Sequence, residues 1–169
     1  MTSNIPQPVT FKPSGPLSGK ISVPGDKSIS HRALILSALA VGKSRITGLL
    51  EGEDVLATAA ALRAMGARIE KKDDVWTVHG VGVGGLMQPG NALEMGNSGT
   101  STRLLMGLIA SHGISATFIG DASLSKRPMG RVIDPLSEMG ADIQARETSD
   151  HKSCLPLTVR GLCPAIPFE

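Results

Sequence analysis

The chain is built around the segment Val23-Pro24-Gly25-Asp26-Lys27-Ser28-Ile29-Ser30-His31-Arg32, which leads directly into an apolar run over residues 33–40. A Pro-Gly pair typically ends a strand, so the segment predicts a strand over residues 17–23 followed by a helix over residues 29–41. This helix has almost no polar face, which is typical of a buried helix. We expect Gly42 to form its C-terminal cap.

The start of this helix combines several features that favour an anion. Asp26, Ser28 or Ser30 can cap it, because a short side-chain oxygen accepts a hydrogen bond from a free amide of the first turn. The same turn carries the positive end of the helix dipole. Lys27 and Arg32 add two cations. The alternative interpretation is an ordinary capped helix with two solvated basic residues.

Composition indicates a globular α/β protein with an aliphatic core. Of the 169 residues, 41% are hydrophobic and 2% aromatic, which predicts one domain, alone or with a piece of another. The net charge of +2 and the scarcity of aromatic side chains argue against nucleic-acid binding. The sequence shows no signal peptide or membrane-length apolar run, so we expect a cytoplasmic protein without a membrane partner. Cys154 and Cys163 fit no zinc or redox spacing and are expected to be free thiols.

An internal repeat is the main organisational feature of the chain. Each copy begins with a Gly turn, continues with a short polar side chain and a serine, and reaches an arginine at the same offset. The matching residues are Gly25, Asp26, Ser30 and Arg32 in the first copy and Gly96, Asn97, Ser101 and Arg103 in the second.

The repeat predicts two βαβαββ units, each with one buried and one amphipathic helix. We place the first unit at residues 17–90 and the second at residues 91–161. Residues 1–16 would form an extended N-terminal segment or crossover, and residues 162–169 the start of a truncated third unit. More than two units are expected, because a repeat needs neighbours to bury its apolar face.

The amphipathic helices are the second helix of each unit. In the first unit the helical period places Thr58 and Arg63 off the apolar stripe, on the exposed side. A hairpin with the turn Asp73-Asp74 should follow. In the second unit we expect a helix over residues 127–139, which Pro135 should kink or restart, with Asp134 as the new cap.

Packing the two units side by side would bring the cationic ends of their buried helices together. A protein that is almost neutral overall but strongly basic on one face suits a small ligand with phosphate and carboxylate groups. The loop over residues 96–100 is neither a Walker loop nor a dinucleotide fingerprint, which argues against a nucleotide. The expected pocket is lined by Lys27, Arg32, Asn97, Thr100 and Arg103.

Residues 24–32, 96–103 and 126–130 resemble the enolpyruvyl transferases, in particular those of the shikimate pathway. The resemblance runs over residues 17–161, and residues 121–131 are similar to the bacterial class known for glyphosate tolerance. It implies an inside-out α/β barrel of two similar domains, each made of three repeats. The buried parallel helices would point their N-termini at the cleft between the domains. This chain would hold one incomplete domain.

The resemblance also implies a reaction. The enolpyruvyl group of phosphoenolpyruvate would move to the 5-hydroxyl of shikimate 3-phosphate through a tetrahedral intermediate, with release of phosphate and without a metal or organic cofactor. Lys27 would contact both substrates and act in catalysis. Ser28 and Arg32 would bind shikimate 3-phosphate.

Phosphoenolpyruvate would bind at the start of the second buried helix. By resemblance, Asn97, Gly99 and Arg127 lie around it. Thr100 and Arg103 would support that loop. In the family, an alanine at the position of Gly99 crowds the inhibitor glyphosate, and this chain lacks that methyl group, so glyphosate tolerance does not follow from the resemblance.

The chain departs from the family in length. The Ser-Ala-Gln or Ser-Ser-Gln segment of the family and the whole other domain, which supplies the proton-transferring acid, would follow Glu169. We interpret Asp26, Asp121 and Asp134 as caps and turn residues rather than replacements for that acid. The chain is therefore expected to be an N-terminal fragment that binds weakly and is inactive until it meets the complementary C-terminal part.

Three alternatives remain at this stage. One is a non-catalytic anion-binding or assembly half that docks a partner. A second is an enolpyruvyl transferase acting on UDP-N-acetylglucosamine, which is less favoured because the loop over residues 123–128 lacks the cysteine of that family. The third is an unrelated phosphosugar-binding protein, for which the three motifs would be coincidental.

Overall fold

The computed structural model describes residues 8–162 and places two sheets beside a layer of helices. The predictions for Cys163 and for the beginning of a third unit therefore lie outside the described residues, apart from Leu162. The helices are α1 (Lys27–Leu39), α2 (Glu53–Ala64), α3 (Gly99–Ala110) and α4 (Gly130–Glu138), with a short 3-10 turn at Leu124–Lys126. The strands are β1 (Val41–Thr47), β2 (Arg68–Lys72), β3 (Val75–Val81), β4 (Leu93–Glu94), β5 (Ser115–Ile119), β6 (Asp142–Glu147) and β7 (Ser153–Arg160).

The two sheets repeat one strand order. The first is β1-β3-β2 and is antiparallel, with the predicted hairpin of β2 and β3 turning at Asp73 and Asp74. The second is β4-β5-β7-β6, in which β5, β7 and β6 repeat that arrangement and β4 adds a parallel edge strand. The predicted α/β class with repeated units is confirmed.

The predicted strand over residues 17–23 is wrong. These residues form no ladder with any strand among residues 8–162, and Leu17, Ile21 and Val23 are exposed. A strand needs a partner for its backbone groups and a surface for its apolar face, and neither is present here. The first sheet therefore lacks a counterpart of β4.

Helix α1 begins at Lys27, two residues earlier than predicted, and also ends two residues earlier. The Asp26 carboxylate accepts from the Ile29 amide at 2.7 Å, so Asp26 is the N-cap. The helix ends at Leu39, and Gly42 lies inside β1 instead of capping the helix. Its expected burial on all sides is also wrong, because Ile29 and Leu36 are 61% and 64% exposed. Among the described elements, α1 packs against β3, α2 and β1.

Helix α3 is buried as predicted, and its first turn is capped by Ser98, whose hydroxyl accepts from the Ser101 amide. In α2, Thr58 is fully buried rather than exposed, because α3 packs against the side of α2 that carries it. Helix α4 starts at Gly130, later than predicted, and continues through Pro135 without a restart at Asp134. The pyrrolidine ring is exposed and removes only one helical hydrogen bond, the one to Arg131.

The core is aliphatic, as composition predicts. Phe118 and Trp76 are the aromatic side chains in the buried cluster that the described residues form. Cys154 is buried and is a free thiol, as expected. No helix within residues 8–162 is both long and apolar enough to cross a membrane.

At the end of each unit a glycine lies against the carbonyl end of that unit's first helix, Gly80 inside β3 and Gly161 directly after β7. A Cβ at Gly80 would lie 2.1 Å from the main-chain oxygen of Ala40. A Cβ at Gly161 would lie 1.9 Å from that of Ile109 and 2.2 Å from that of His112. These contacts involve backbone atoms, so only glycine allows the strand to approach so closely.

We expect Gly161→Ala to lower the free energy of unfolding by about 2 kcal/mol or more, because the methyl group would displace backbone. Gly107→Ala is the matched control, since a Cβ there meets no heavy atom within 4 Å and the site lies inside α3. The control should gain about 0.5–1 kcal/mol. Urea denaturation of both variants checks this, and equal stability of the two would contradict the crowding.

Candidate functional site

The start of α2 links the starts of α1 and α3. The Lys27 ammonium donates to Asp54 Oδ2 at 2.8 Å. The main-chain oxygen of the same Asp54 accepts from the Ser101 hydroxyl at 2.9 Å. Lys27 belongs to the first turn of α1 and Ser101 to the first turn of α3, so one residue of α2 connects the two repeated helix starts.

The other cation and hydroxyl predicted at α1 face solvent. Ser28 and Arg32 are exposed, and their side chains make no hydrogen bond to other groups among residues 8–162. Lys27 is half-exposed beside them. This end of α1 can therefore present an ammonium, a guanidinium and a hydroxyl to an anion.

Two guanidinium groups meet at Gly99. Arg103 Nη1 donates to the Gly99 carbonyl at 3.1 Å, and Arg103 Nη2 donates to the Pro128 carbonyl at 3.3 Å. Arg127 donates through Nη2 to the Asn97 side-chain oxygen. A Cβ at Gly99 would lie 2.7 Å from Arg103 Nη1 and 3.3 Å from Arg127 Nη1. Gly99 thus leaves a small space bounded by two cations.

The predicted site residues fall into two groups. Lys27, Ser28 and Arg32 lie at α1, and Asn97, Gly99, Arg103 and Arg127 lie around the start of α3, with Thr100 half-buried in its first turn. The hydrogen bonds among residues 8–162 connect the groups only indirectly, through Asp54 and Ser101. Beside the second group lies a cavity of about 360 Å³, lined by Arg103, Pro128, Gly130, Arg131 and Asp134.

Sequence reasoning missed a buried network behind this connection. His31 Nδ1 lies 2.8 Å from Thr58 Oγ1, which lies 2.8 Å from Ser101 Oγ. Because the Asp54 carbonyl can only accept, Ser101 donates to it, Thr58 donates to Ser101, and His31 donates to Thr58 from Nδ1. Ser98 completes the network by donating to Ser101, 2.5 Å away. Only the repeat had singled out Ser101, and the helical period had placed Thr58 outside.

Burial favours the neutral form of His31 in this network. His31 is fully buried, and its Nε2 has no hydrogen-bond partner among residues 8–162. Burial therefore lowers the pKa of His31 below the usual 6.5; Lys27 adds to this and Asp54 opposes it. Protonation would place a second N–H in a site without an acceptor.

This predicts a pH dependence of stability. The unfolded chain binds a proton at His31 near pH 6.5, whereas the folded chain binds it only at lower pH. The contribution of His31 is therefore present above pH 6.5 and is lost as the pH falls from there towards the folded pKa. We expect denaturation experiments between neutral and mildly acidic pH to show a shallower pH slope for His31→Gln than for the unmodified chain. Identical slopes would contradict the assignment.

No group of three or more His, Cys, Asp or Glu residues in the described part of the chain is arranged to hold a metal ion. The site geometry consists instead of cations and amide groups at helix starts. Such an arrangement is suited to phosphate and carboxylate groups.

Comparison with known proteins decides the family. Residues 11–165 match the family model described as EPSP synthase (3-phosphoshikimate 1-carboxyvinyltransferase). The chain belongs to the EPSP synthase family. The resemblance to the shikimate-pathway enolpyruvyl transferases is thereby confirmed.

Relatives in the EPSP synthase family are longer than this chain. The 3-phosphoshikimate 1-carboxyvinyltransferase of Sphingopyxis alaskensis is 69% identical over 170 residues, which cover 100% of this chain and 38% of that protein. The enzyme of the same name from Novosphingobium aromaticivorans is 68% identical over 164 residues, which cover 96% of this chain and 36% of that protein. An EPSP synthase structure from Acinetobacter baumannii superposes with a TM-score of 0.81 at 46% identity, over 89% of this chain and 35% of that one. The chain thus spans little more than a third of the relatives it matches.

Proposed function

We propose that the chain is the N-terminal part of a 3-phosphoshikimate 1-carboxyvinyltransferase, which transfers the enolpyruvyl group of phosphoenolpyruvate to shikimate 3-phosphate. The observation that carries the proposal is the pairing of two cationic helix starts, bridged by Asp54, in a chain of the EPSP synthase family. The start of each helix can bind one of these two substrates, since both carry a phosphate and a carboxylate group. The proposal includes the division into units at residues 17–90 and 91–161, flanked by residues 1–16 and 162–169, and a cytoplasmic location.

Shikimate 3-phosphate binds at the start of α1 in this proposal. Arg32 and Ser28 are exposed there and can donate to its phosphate and carboxylate groups. Lys27 bonds to Asp54, which also accepts from Ser101 at the second helix start, so we place its ammonium within reach of both substrates. Its charge can offset the negative charge that develops on the phosphate group as this group leaves the tetrahedral intermediate.

Phosphoenolpyruvate binds at the start of α3. Arg127 and Asn97 offer a guanidinium and an amide, and Gly99 lets the substrate approach the backbone closely. Arg103 supports this loop through its bonds to the Gly99 and Pro128 carbonyls, with Thr100 beside it. Glyphosate, a phosphonate with a carboxylate group, binds at the same place as an inhibitor.

The acid that transfers the proton comes from the remainder of the enzyme. Asp26 caps α1, and Asp54 is bound to Lys27. Asp121 holds Asn97 and the following turn. These carboxylates are committed to structure, so the chain alone binds its substrates weakly and needs the complementary C-terminal part for turnover, without a metal or organic cofactor.

The test is a mixing experiment. The purified chain is combined with the complementary C-terminal part of the Sphingopyxis alaskensis relative, and phosphate release is followed with both substrates present. We expect release in the mixture only, dependent on shikimate 3-phosphate. Turnover by the chain alone would contradict the dependence on a second part. Association of the halves without release would favour the alternative of a non-catalytic anion-binding half.

A further inference from the structure

We infer that Asp121 is a positioning residue that sets the orientation of the Asn97 amide and, through it, of the Arg127 guanidinium. The inference rests on the proposed function for its effect on phosphoenolpyruvate. Its structural part stands on contacts within the chain itself.

Asp121 joins the loop before α3 to the 3-10 turn that leads to Arg127. Its main-chain N–H donates to the Gly96 carbonyl at 2.9 Å. One carboxylate oxygen accepts from the Asn97 side-chain amide at 2.7 Å, and the other accepts from the Leu124 main-chain N–H at 2.7 Å. Both oxygens are therefore occupied, one by each segment.

The contact with Asp121 determines which end of the Asn97 amide faces Arg127. An amide has a donor end and an acceptor end, and Asp121 takes the donor end. The acceptor end, Oδ1, is then turned to Arg127 and receives its Nη2. The same guanidinium lies beside the space at Gly99, 3.3 Å from where a Cβ would be. The Asp121 carboxylate is thus connected to the Arg127 guanidinium by two hydrogen bonds, one on each side of the Asn97 amide.

The role of Asp121 goes beyond the turn residue that the sequence suggested. The bond to Leu124 is the expected cap, but it uses only one of the two oxygens. The bond to Asn97 is the largest cause that lowers the pKa of Asp121, followed by the bond to Leu124. The carboxylate is consequently ionised at neutral pH, as an acceptor for two donors must be.

Asp121→Asn tests whether Asp121 orients Arg127 through Asn97, because the substitution hardly changes the shape of the side chain. The variant keeps one oxygen and gains an NH₂ group, so it cannot accept from both Leu124 and Asn97. In the mixture with the C-terminal part, we expect the KM for phosphoenolpyruvate to rise at least about tenfold, while the KM for shikimate 3-phosphate changes less than about twofold. Asp150→Asn is the matched control, because Asp150 is also an exposed turn carboxylate, bound to Thr148 and Lys152.

A second readout uses the chain without substrates. In proton–nitrogen NMR spectra, the side-chain signals of Asn97 and Arg127 should shift in Asp121→Asn and remain in place in Asp150→Asn. The double variant Asn97→Asp/Asp121→Asn restores a donor opposite an acceptor and keeps an oxygen acceptor for Arg127. The Arg127 side-chain protons should therefore exchange with solvent at least as slowly as in the unmodified chain, and faster in Asp121→Asn alone.

The outcomes separate the two proposals. If the unmodified mixture releases no phosphate, the proposed function fails, and the NMR experiment still decides the role of Asp121. An unmoved Arg127 signal in folded Asp121→Asn, or equal KM changes for both substrates, would overturn the inference. If Asp121→Asn does not fold, the double variant decides: a folded chain whose Arg127 side-chain protons exchange at least as slowly as in the unmodified chain supports the link, and faster exchange or an unfolded chain rejects it.

Discussion

Lys27→Ala in the reconstituted mixture is expected to lower the rate of phosphate release by about 100-fold or more, the effect typical of removing one preorganised charge from a site where negative charge develops. The structure supplies the reason. The Lys27 ammonium is held by Asp54 at 2.8 Å, and Asp54 is held in turn by Ser101 of α3. The ammonium is therefore in position before any substrate binds, so ordering this side chain adds little to the free energy of activation.

Lys43→Ala is the control for Lys27→Ala. Lys43 is an exposed lysine on β1, outside both groups of the proposed site. Both variants lose one positive charge, so a general effect of net charge would lower both rates equally. Lys27→Arg keeps the charge but changes its shape and reach, and it should recover only part of the rate. If the rate of phosphate release by Lys27→Ala stayed within about tenfold of that of the unmodified mixture, Lys27 would not be a catalytic residue.

Gly99→Ala is expected to weaken glyphosate much more than phosphoenolpyruvate. The new methyl group would lie 2.7 Å from Arg103 Nη1 and 3.3 Å from Arg127 Nη1, so it would occupy the space between the two guanidinium groups. Both contacts are with the ends of flexible side chains, so the fold should tolerate them. Glyphosate has one more atom between phosphorus and carboxylate carbon than phosphoenolpyruvate, and the longer molecule loses more from the reduced space.

The measurement compares the inhibition constant of glyphosate with the KM for phosphoenolpyruvate in the reconstituted mixture. We expect the inhibition constant to increase at least about tenfold more than the KM, which corresponds to about 1.4 kcal/mol of selective loss. Gly107→Ala is the control, because it adds the same methyl group to the same helix where no heavy atom lies within 4 Å. An unchanged inhibition constant in Gly99→Ala would contradict the crowding mechanism.

Local features were predictable because neighbours in sequence determine them. The Asp26 cap and the hairpin turn at Asp73 and Asp74 follow from side-chain chemistry within a few residues. The repeat was also visible in the sequence, because both copies carry a glycine turn, a short polar side chain, a serine and an arginine at the same offsets.

Features that depend on packing partners were not predictable in this way. Thr58 is buried because α3 lies against α2, which the helical period of α2 cannot reveal. Ile29 and Leu36 are exposed because no described element covers that side of α1, although the apolar run predicted burial. Asp121 looked like a turn residue until the fold brought Asn97 within 2.7 Å of it.

The sequence by itself determined the α/β class, the repeated units, the family and the types of side chain at the two helix starts. Only the tertiary structure decided how these side chains are held: Asp54 between Lys27 and Ser101, and Asp121 behind Asn97. The physical reason is the distance along the chain over which each kind of interaction acts. Caps, turns and periodicity act over about four residues along the chain, whereas these contacts join residues 24 to 47 positions apart. Their geometry exists only once the helices and sheets have packed.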